Sequence, residues 1–197
     1  MTATLDVGLF RALNGLAGRS VASDAVFIFG AKHLIVVMAA LLLAYVAAAW
    51  KTDHFEGRVE NFWHVMITVA LAFVAEQVIG FLYFRPRPFV ALDAVAKLIE
   101  KSATEKSFPS GHATAAFAMA FGLLLHNRKW GWVMLALAAW VGVSRVFVGV
   151  HYPSDILGAV VVAALAAWAT RPVKKAIEPY LELFPVFRKY RKRTVYS

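Results

Sequence analysis

The stretch Leu34–Ala49, LIVVMAALLLAYVAAA, decides the fold class of this chain. It lies within 18 consecutive uncharged residues between Lys32 and Lys51. At a rise of about 1.5 Å per residue, such a helix extends roughly 27 Å, which is close to the thickness of the hydrocarbon core of a bilayer. We therefore interpret this stretch as a membrane-crossing helix.

The composition of the whole chain agrees with a membrane protein. Of its 197 residues, 60% are hydrophobic and only 17% are charged, whereas a soluble domain of this size needs more charge on its surface. The apolar content excludes a disordered chain. A basic nucleic-acid-binding protein is disfavoured, because it would gather its basic residues on a polar face, whereas here they interrupt apolar stretches. The chain contains no cysteine, which excludes disulfides and cysteine ligands to a metal.

Charged residues mark the ends of five apolar segments, which predict an all-α integral membrane protein with about five transmembrane helices. The segments lie at about residues 34–49, 60–85, 112–126, 130–150 and 154–170. We assign residues 1–170 to one membrane domain and residues 171–197 to a basic tail.

The first 30 residues form a separate N-terminal segment. Four leucines recur there at helical spacing: Leu5, Leu9, Leu13 and Leu16. This pattern predicts a short helix that lies in the plane of the membrane interface. Two alternatives stay open at this point, namely a helix packed on the spans and a sixth span.

The distribution of basic residues predicts the orientation. An alternating path through five spans leaves 12 basic residues on the side of the C-terminal tail and 9 on the other side. Because basic loops tend to remain in the cytoplasm, we expect a cytoplasmic tail. The loops at residues 85–111 and 145–155 are then extracytoplasmic.

Four span ends bring ionisable residues to that extracytoplasmic face. They carry the sequences RPRPF at 85–89, FPSGH at 108–112, Ser144-Arg145, and HYPSD at 151–155. Ionisable groups beside hydrocarbon are costly and tend to be functional. Snorkelling to the interface explains one arginine but not the whole set.

This set of side chains suits phosphoryl transfer. Three arginines can hold the oxygens of a phosphate without a metal, and a helix that opens at Pro109–Gly111 directs free N–H groups at an anion. One histidine could attack phosphorus while the other protonates the leaving oxygen. Asp155, four residues after His151, could orient it. Two histidines and an aspartate could instead bind zinc, although three nearby arginines would repel a cation.

The motifs resemble the three-part signature of the type 2 phosphatidic acid phosphatase (PAP2) superfamily over about residues 76–158. The resemblance implies a phosphatase that needs no metal and no cofactor. It implies that His151 is the nucleophile and forms a phosphohistidine, that Asp155 orients it, and that His112 is the general acid. The residues that it implies for phosphate binding are Arg87, Arg145, Ser110 and Gly111.

The chain departs from the family pattern at the first motif. The family usually has a lysine seven residues before the arginine of the Arg-Pro pair, and this position is Gly80 here. We hypothesise that Arg85 supplies the missing charge and binds phosphate. Glu76 either supports the site or is protonated and bonded to a neighbouring helix, and Ser144 is a second candidate for support.

The RPRPF block and residues 151–158 most resemble the bacterial BcrC-type undecaprenyl pyrophosphate phosphatases, a subgroup linked to bacitracin resistance. This implies hydrolysis of undecaprenyl diphosphate, a polyprenyl lipid carrier of cell-wall synthesis, to undecaprenyl phosphate and inorganic phosphate at the plasma membrane. The implied partners are this lipid and the bilayer, not nucleic acid. Two alternatives are a PAP2 phosphatase for phosphatidylglycerol phosphate, phosphatidate or lipid A, and a non-catalytic transporter that holds lipid headgroups.

Overall fold

All regular structure in the computed structural model, which describes residues 2–181, is α-helical. The eight helices of this described range are α1 (Thr2–Asn14), α2 (Val21–Lys32), α3 (Leu34–Ala47), α4 (Phe55–Leu82), α5 (Pro88–Ala91), α6 (Gly111–Leu124), α7 (Arg128–Phe147) and α8 (Pro153–Leu181).

Three helices are long and apolar enough to cross a membrane: α4, α7 and the Pro153–Thr170 part of α8. Helices α2 and α3 meet this criterion together, but their axes are bent by 56° where they join. Helix α6 is apolar and has 14 residues, which extend about 21 Å at 1.5 Å per residue. The chain is therefore a multi-pass, all-α membrane protein, as its sequence predicts.

The first apolar segment differs from its sequence-based description. Residues 34–47 form the second half of the bent pair, and its first half, α2, falls in the segment that we assigned to the interface. Asp24 and Lys32 interrupt the apolar run in sequence. Both lie at helix ends, Asp24 in the first turn and Lys32 in the last, where their charges complement the helix dipole.

The N-terminal helix α1 packs on the ends of α7 and α8, which is the first of the two alternatives stated for it. Phe10 is buried against the ring of Tyr152, and the Asn14 side chain donates hydrogen bonds to the carbonyls of Phe147 and Ala96. Of the leucine stripe, Leu13 packs at this contact together with Val7, whereas Leu5 and Leu9 are 66% and 52% exposed. The packed face of α1 thus includes part of the stripe, and the rest of the stripe remains on the surface.

Helix α6 is the central helix of the bundle and packs against α4, α7 and α8. Small residues make this possible, since Ala113, Ala116 and Ala120 are fully buried. At Gly122, an added Cβ would lie only 3.2 Å from the Cα of Val65 on α4. Alanine and glycine therefore let the helix backbones approach closely, as is common in membrane bundles.

One end of the bundle gathers the ends of α4, α6, α7 and α8. Backbone hydrogen bonds join these ends, from Ser107 N to Arg85 O and from Ser110 N to Asp155 O. The chain segments that the sequence places on one membrane face thus lie together. Helix α8 continues past Thr170 to Leu181 and so includes the start of the predicted basic tail at residues 171–197. The part of this tail from residue 182 onward lies outside the described residues.

Candidate active site

A glycine turn delivers His151 to the site. Gly149 lies between the end of α7 and the start of α8 with φ of 84°, a left-handed conformation that favours glycine. An added Cβ there would also lie 2.5 Å from the carbonyl oxygen of Ala96. The chain therefore reverses tightly at this point, and His151 is buried at 2% exposure.

The two ring nitrogens of His151 face different partners. Nδ1 lies 2.9 Å from the backbone carbonyl oxygen of Ser107, and because a carbonyl only accepts, Nδ1 carries the proton. Nε2 then presents its lone pair to Nη1 of Arg87 at 3.2 Å and Nη2 of Arg145 at 3.5 Å. Burial lowers the pKa of His151 to about 3, so the ring is neutral at pH 7.

Asp155 anchors the loop around His151. Its buried carboxylate accepts hydrogen bonds from Ser107 Oγ at 2.6 Å and from the backbone N–H of Tyr152 at 2.8 Å. Its Oδ2 lies 3.5 Å from His151 Nδ1, farther than the Ser107 carbonyl. Asp155 therefore fixes Ser107, and Ser107 supplies the direct acceptor for His151. Ser107 could not be identified from the sequence, because it acts through its backbone carbonyl, which every type of residue has.

Two arginines form one wall of a cavity of about 290 Å³. The Nη1 atoms of Arg87 and Arg145 are held by the backbone carbonyls of Val150 and Ala31, at 3.0 and 3.1 Å. The Nε atoms of both arginines are buried and have no hydrogen-bond partner in the described part of the chain. Glu105 lies 3.1 Å from Nη2 of Arg87. Both guanidiniums thus keep hydrogen-bonding capacity for an anion.

The start of α6 contributes to the same cavity. Gly111 and His112 line it together with Arg87, Arg145 and His151. The Oγ of Ser110 is buried and has no hydrogen-bond partner among residues 2–181.

Ser144 has a different setting from the other candidates. An added Cβ at Gly30 on α2 would overlap its hydroxyl, so Ser144 packs against that helix. It does not line the cavity.

Arg85 does not line the cavity, and its expected phosphate-binding role stays a prediction. Its guanidinium is held by two carboxylates, with Nη1 2.7 Å from Asp155 and Nη2 2.7 Å from Asp6 on α1. It also lies 3.9 Å from the ring centroid of Tyr152 and donates to Ser154 Oγ. Burial alone would lower the pKa of Arg85, but the hydrogen bonds and charges of the two aspartates raise it. The guanidinium is therefore occupied.

Glu76 pairs with a loop lysine, and the sequence did not indicate this pairing. Its carboxylate lies 2.7 Å from Nζ of Lys106, which also donates to the backbone carbonyl of Glu76 at 2.8 Å. The Lys106 stem crosses α4 at Gly80, where any side chain would overlap it. Among the described residues, the space beside Gly80 is thus filled by Lys106 and not by Arg85.

An apolar groove of about 270 Å³ adjoins the polar cavity between α4 and α6. It is lined by Met66, Val69, Ala70, Phe73, Glu76, Gly111, Thr114 and Ala115. Glu76 and Gly111 line both spaces. The arrangement therefore suits a ligand with an anionic head and an apolar tail. The two guanidiniums and the lone pair of a neutral histidine face the cavity, which would hold the head, and the groove would hold the tail.

The chain is similar to known proteins of one family. Residues 61–178 match the model of the PAP2 superfamily. The chain is 34% identical to undecaprenyl-diphosphatase BcrC of Bacillus subtilis over 89% of this chain and 87% of that protein. It is 29% identical to the putative undecaprenyl-diphosphatase YbjG of Escherichia coli over 90% of this chain and 86% of that protein.

Solved structures share the fold. The crystal structure of Aquifex aeolicus LpxE superimposes with a TM-score of 0.68 at 21% identity, covering 85% of this chain and 95% of that one. A transmembrane PAP2-type phosphatidylglycerolphosphate phosphatase from Bacillus subtilis gives a TM-score of 0.59 at 22% identity, with coverage of 89% and 87%. On the family match and the similarity to BcrC, this chain belongs to the PAP2 superfamily.

Proposed function

We propose that this protein is a membrane phosphatase that hydrolyses undecaprenyl diphosphate to undecaprenyl phosphate and inorganic phosphate. The observation that carries the proposal is the direction of the His151 Nε2 lone pair, which faces the guanidiniums of Arg87 and Arg145. A phosphate held by these two arginines would have its phosphorus in front of a neutral nucleophile. The reaction needs no metal, because the guanidiniums neutralise the phosphate charge.

In the first step, His151 Nε2 attacks the terminal phosphorus and forms a nitrogen–phosphorus bond. The bond from this phosphorus to the bridging oxygen breaks, and its electron pair stays on that oxygen. His112, in the same cavity, donates a proton to the leaving lipid phosphate. The Ser107 carbonyl and Asp155 stabilise the positive charge that the histidine ring gains.

In the second step, His112 removes a proton from a water molecule that attacks the phosphohistidine. The nitrogen–phosphorus bond breaks, its electron pair returns to Nε2, and inorganic phosphate leaves. Gly111 supports both steps, because the first N–H groups of α6 have no partner within the helix and its dipole favours an anion. Ser110 contributes its buried Oγ, which has no partner among the described residues, since its own N–H is bonded to the Asp155 carbonyl.

Two observations support a polyprenyl diphosphate as the substrate. Two relatives that are similar over nearly the full chain are named for undecaprenyl diphosphate. The apolar groove between α4 and α6 opens from the cavity and can receive a hydrocarbon tail. We further propose that the enzyme recycles this lipid carrier in the plasma membrane of a bacterium, with its site facing outward and its tail in the cytoplasm. The distribution of basic residues supports this orientation.

The test is release of inorganic phosphate by the purified protein from undecaprenyl diphosphate. Phosphatidylglycerol phosphate, phosphatidate and lipid A serve as competing substrates, each with and without EDTA. We expect the highest kcat/KM on undecaprenyl diphosphate, activity in EDTA, and inhibition by vanadate. A higher kcat/KM on any other lipid would overturn the substrate.

Substitution of the nucleophile tests the enzyme itself. We expect His151→Ala to abolish phosphate release, while the control His54→Ala, at the other end of the bundle, retains it. A transporter that only holds headgroups would retain its function in His151→Ala. Such a result would contradict the proposed mechanism.

The absence of cysteine offers a direct test of orientation. Ser102 and Asp53 are exposed and lie in loops at opposite ends of the bundle. We expect a membrane-impermeant maleimide to label the Ser102→Cys variant in intact cells and the Asp53→Cys variant only after lysis. The reverse labelling pattern would contradict an outward-facing site.

A further inference from the structure

Lys106 is built into the wall of the cavity. It lines the cavity with His112, Arg145 and His151, and its side chain is only 21% exposed. The stem occupies the space beside Gly80, and Nζ lies 2.7 Å from the Glu76 carboxylate. An ammonium group has three protons, and Glu76 accounts for at most two of them. Lys106 therefore keeps a donor for a ligand.

The ion pair of Lys106 and Glu76 lies where the polar cavity meets the apolar groove. Glu76 is 4% exposed and lines both spaces, as does Gly111. Any ligand that places an anionic head beside His151 and a hydrocarbon tail along Phe73 passes this junction. The group that links head and tail is thus the one that meets Lys106.

We propose that Lys106 binds the inner, lipid-linked phosphate of a diphosphate substrate and makes the site selective for diphosphates over monophosphates. This inference rests on the proposed function. The terminal phosphate would lie at Arg87 and Arg145, in front of His151 Nε2. The inner phosphate would lie on the far side of the scissile bond, toward the groove and Lys106.

The reaction itself increases the need for this contact. When Nε2 bonds to the terminal phosphorus, the bond to the bridging oxygen breaks and its electron pair stays on the inner phosphate. That phosphate gains negative charge, and a proton of the Lys106 ammonium can bond to one of its oxygens. A lipid monophosphate has carbon beyond the scissile oxygen and offers Lys106 no second phosphate.

The experiment compares farnesyl diphosphate with farnesyl monophosphate, which share one tail. We expect Lys106→Met to lower kcat/KM for the diphosphate by about 10- to 100-fold, the loss of one charge-assisted hydrogen bond. We expect kcat/KM for the monophosphate to change by less than about 3-fold. Lys97→Met is the matched control, because Lys97 lies over the Phe89 ring and pairs with Glu100 outside the cavity.

A second variant guards against misfolding. Lys106→Met alone leaves the buried Glu76 carboxylate without its cation, which is destabilising. Glu76→Gln combined with Lys106→Met removes both charges, and we expect it to show the same loss of selectivity. An equal fall for both substrates, or no fall for either, would overturn the role of Lys106. Failure of the wild-type protein to hydrolyse the diphosphate would instead overturn the proposed function.

Discussion

Replacement of Arg85 by alanine should slow turnover without weakening substrate binding. Arg85 acts on the reaction chiefly through Asp155, which it contacts at 2.7 Å, and Asp155 lies beside His151 and fixes Ser107. A hydrogen bond to a charged group contributes about 1.5–3 kcal/mol, and about 1.4 kcal/mol corresponds to a tenfold change in rate. If this loss appears in the transition state, kcat falls by roughly 10- to 150-fold.

The assay is steady-state phosphate release, with kcat and KM determined separately. We expect KM to stay within about twofold, because the Arg85 guanidinium does not line the cavity. Arg85→Lys should restore only part of kcat, since a single ammonium cannot reproduce the planar fork that bonds both Asp6 and Asp155. Arg128→Ala, at an exposed position on the opposite end of the bundle, is the control.

Two results would refute this reasoning. An unchanged kcat in Arg85→Ala would mean that the contact with Asp155 does not position the nucleophile. A tenfold rise of KM with unchanged kcat would mean that Arg85 binds phosphate, as its sequence position suggested.

Three further predictions concern the cavity and its loops. Glu105→Gln should lower KM by up to about fivefold in the phosphate-release assay, because the Glu105 carboxylate competes with phosphate for Arg87. The pKa of Glu105 is lowered, chiefly by its hydrogen bond from Lys101, so this carboxylate is charged at pH 7. An unchanged KM would contradict this prediction. The pKa of His151 is about 3 in the folded protein and about 6.5 in the unfolded chain. Below pH 6.5 the unfolded chain therefore binds a proton that the folded protein does not bind. The contribution of the neutral His151 ring to stability is thus complete above pH 6.5 and is lost toward pH 3. The thermal unfolding midpoint of the wild type should therefore fall more steeply below pH 6.5 than that of His151→Gln, and parallel curves would refute the shift. Gly149→Ala should destabilise the protein by about 1–3 kcal/mol and lower kcat, because alanine is strained at the positive φ of this turn. Gly8→Ala, which has open space around the added Cβ, should do neither. Equal unfolding midpoints of the two variants would contradict the strained turn.

The clustering of the candidate catalytic motifs could be predicted from sequence, because the order of the spans brings these motifs together. Successive spans alternate in direction, so the end of α4, the start of α6, the end of α7 and the start of α8 must share one membrane face. His112, Arg145 and His151 lie at three of these ends, and the structure brings them to one cavity. The side chains that contact one another across long separations could not be predicted in this way.

Arg85 and Lys106 illustrate that limit. Arg85 stands two residues from Arg87, and its sequence context suggested the same task for both. Its partner Asp6 is 79 residues away on a helix whose leucine stripe predicted a different packing face. Lys106 lies in a loop, where a lysine is ordinarily expected to be solvated. Its ammonium reaches Glu76 only because its side chain packs closely against Gly80.

The amino-acid sequence by itself determined the membrane fold, the family and the candidate catalytic residues. These properties depend on hydropathy, on the distance between charges, and on spacing within motifs, which are local along the chain. The tertiary structure decided which nitrogen of His151 faces Arg87 and Arg145 and which cations remain available for a ligand. Those properties depend on a backbone carbonyl and on pairs of opposite charge that meet only after the helices have packed.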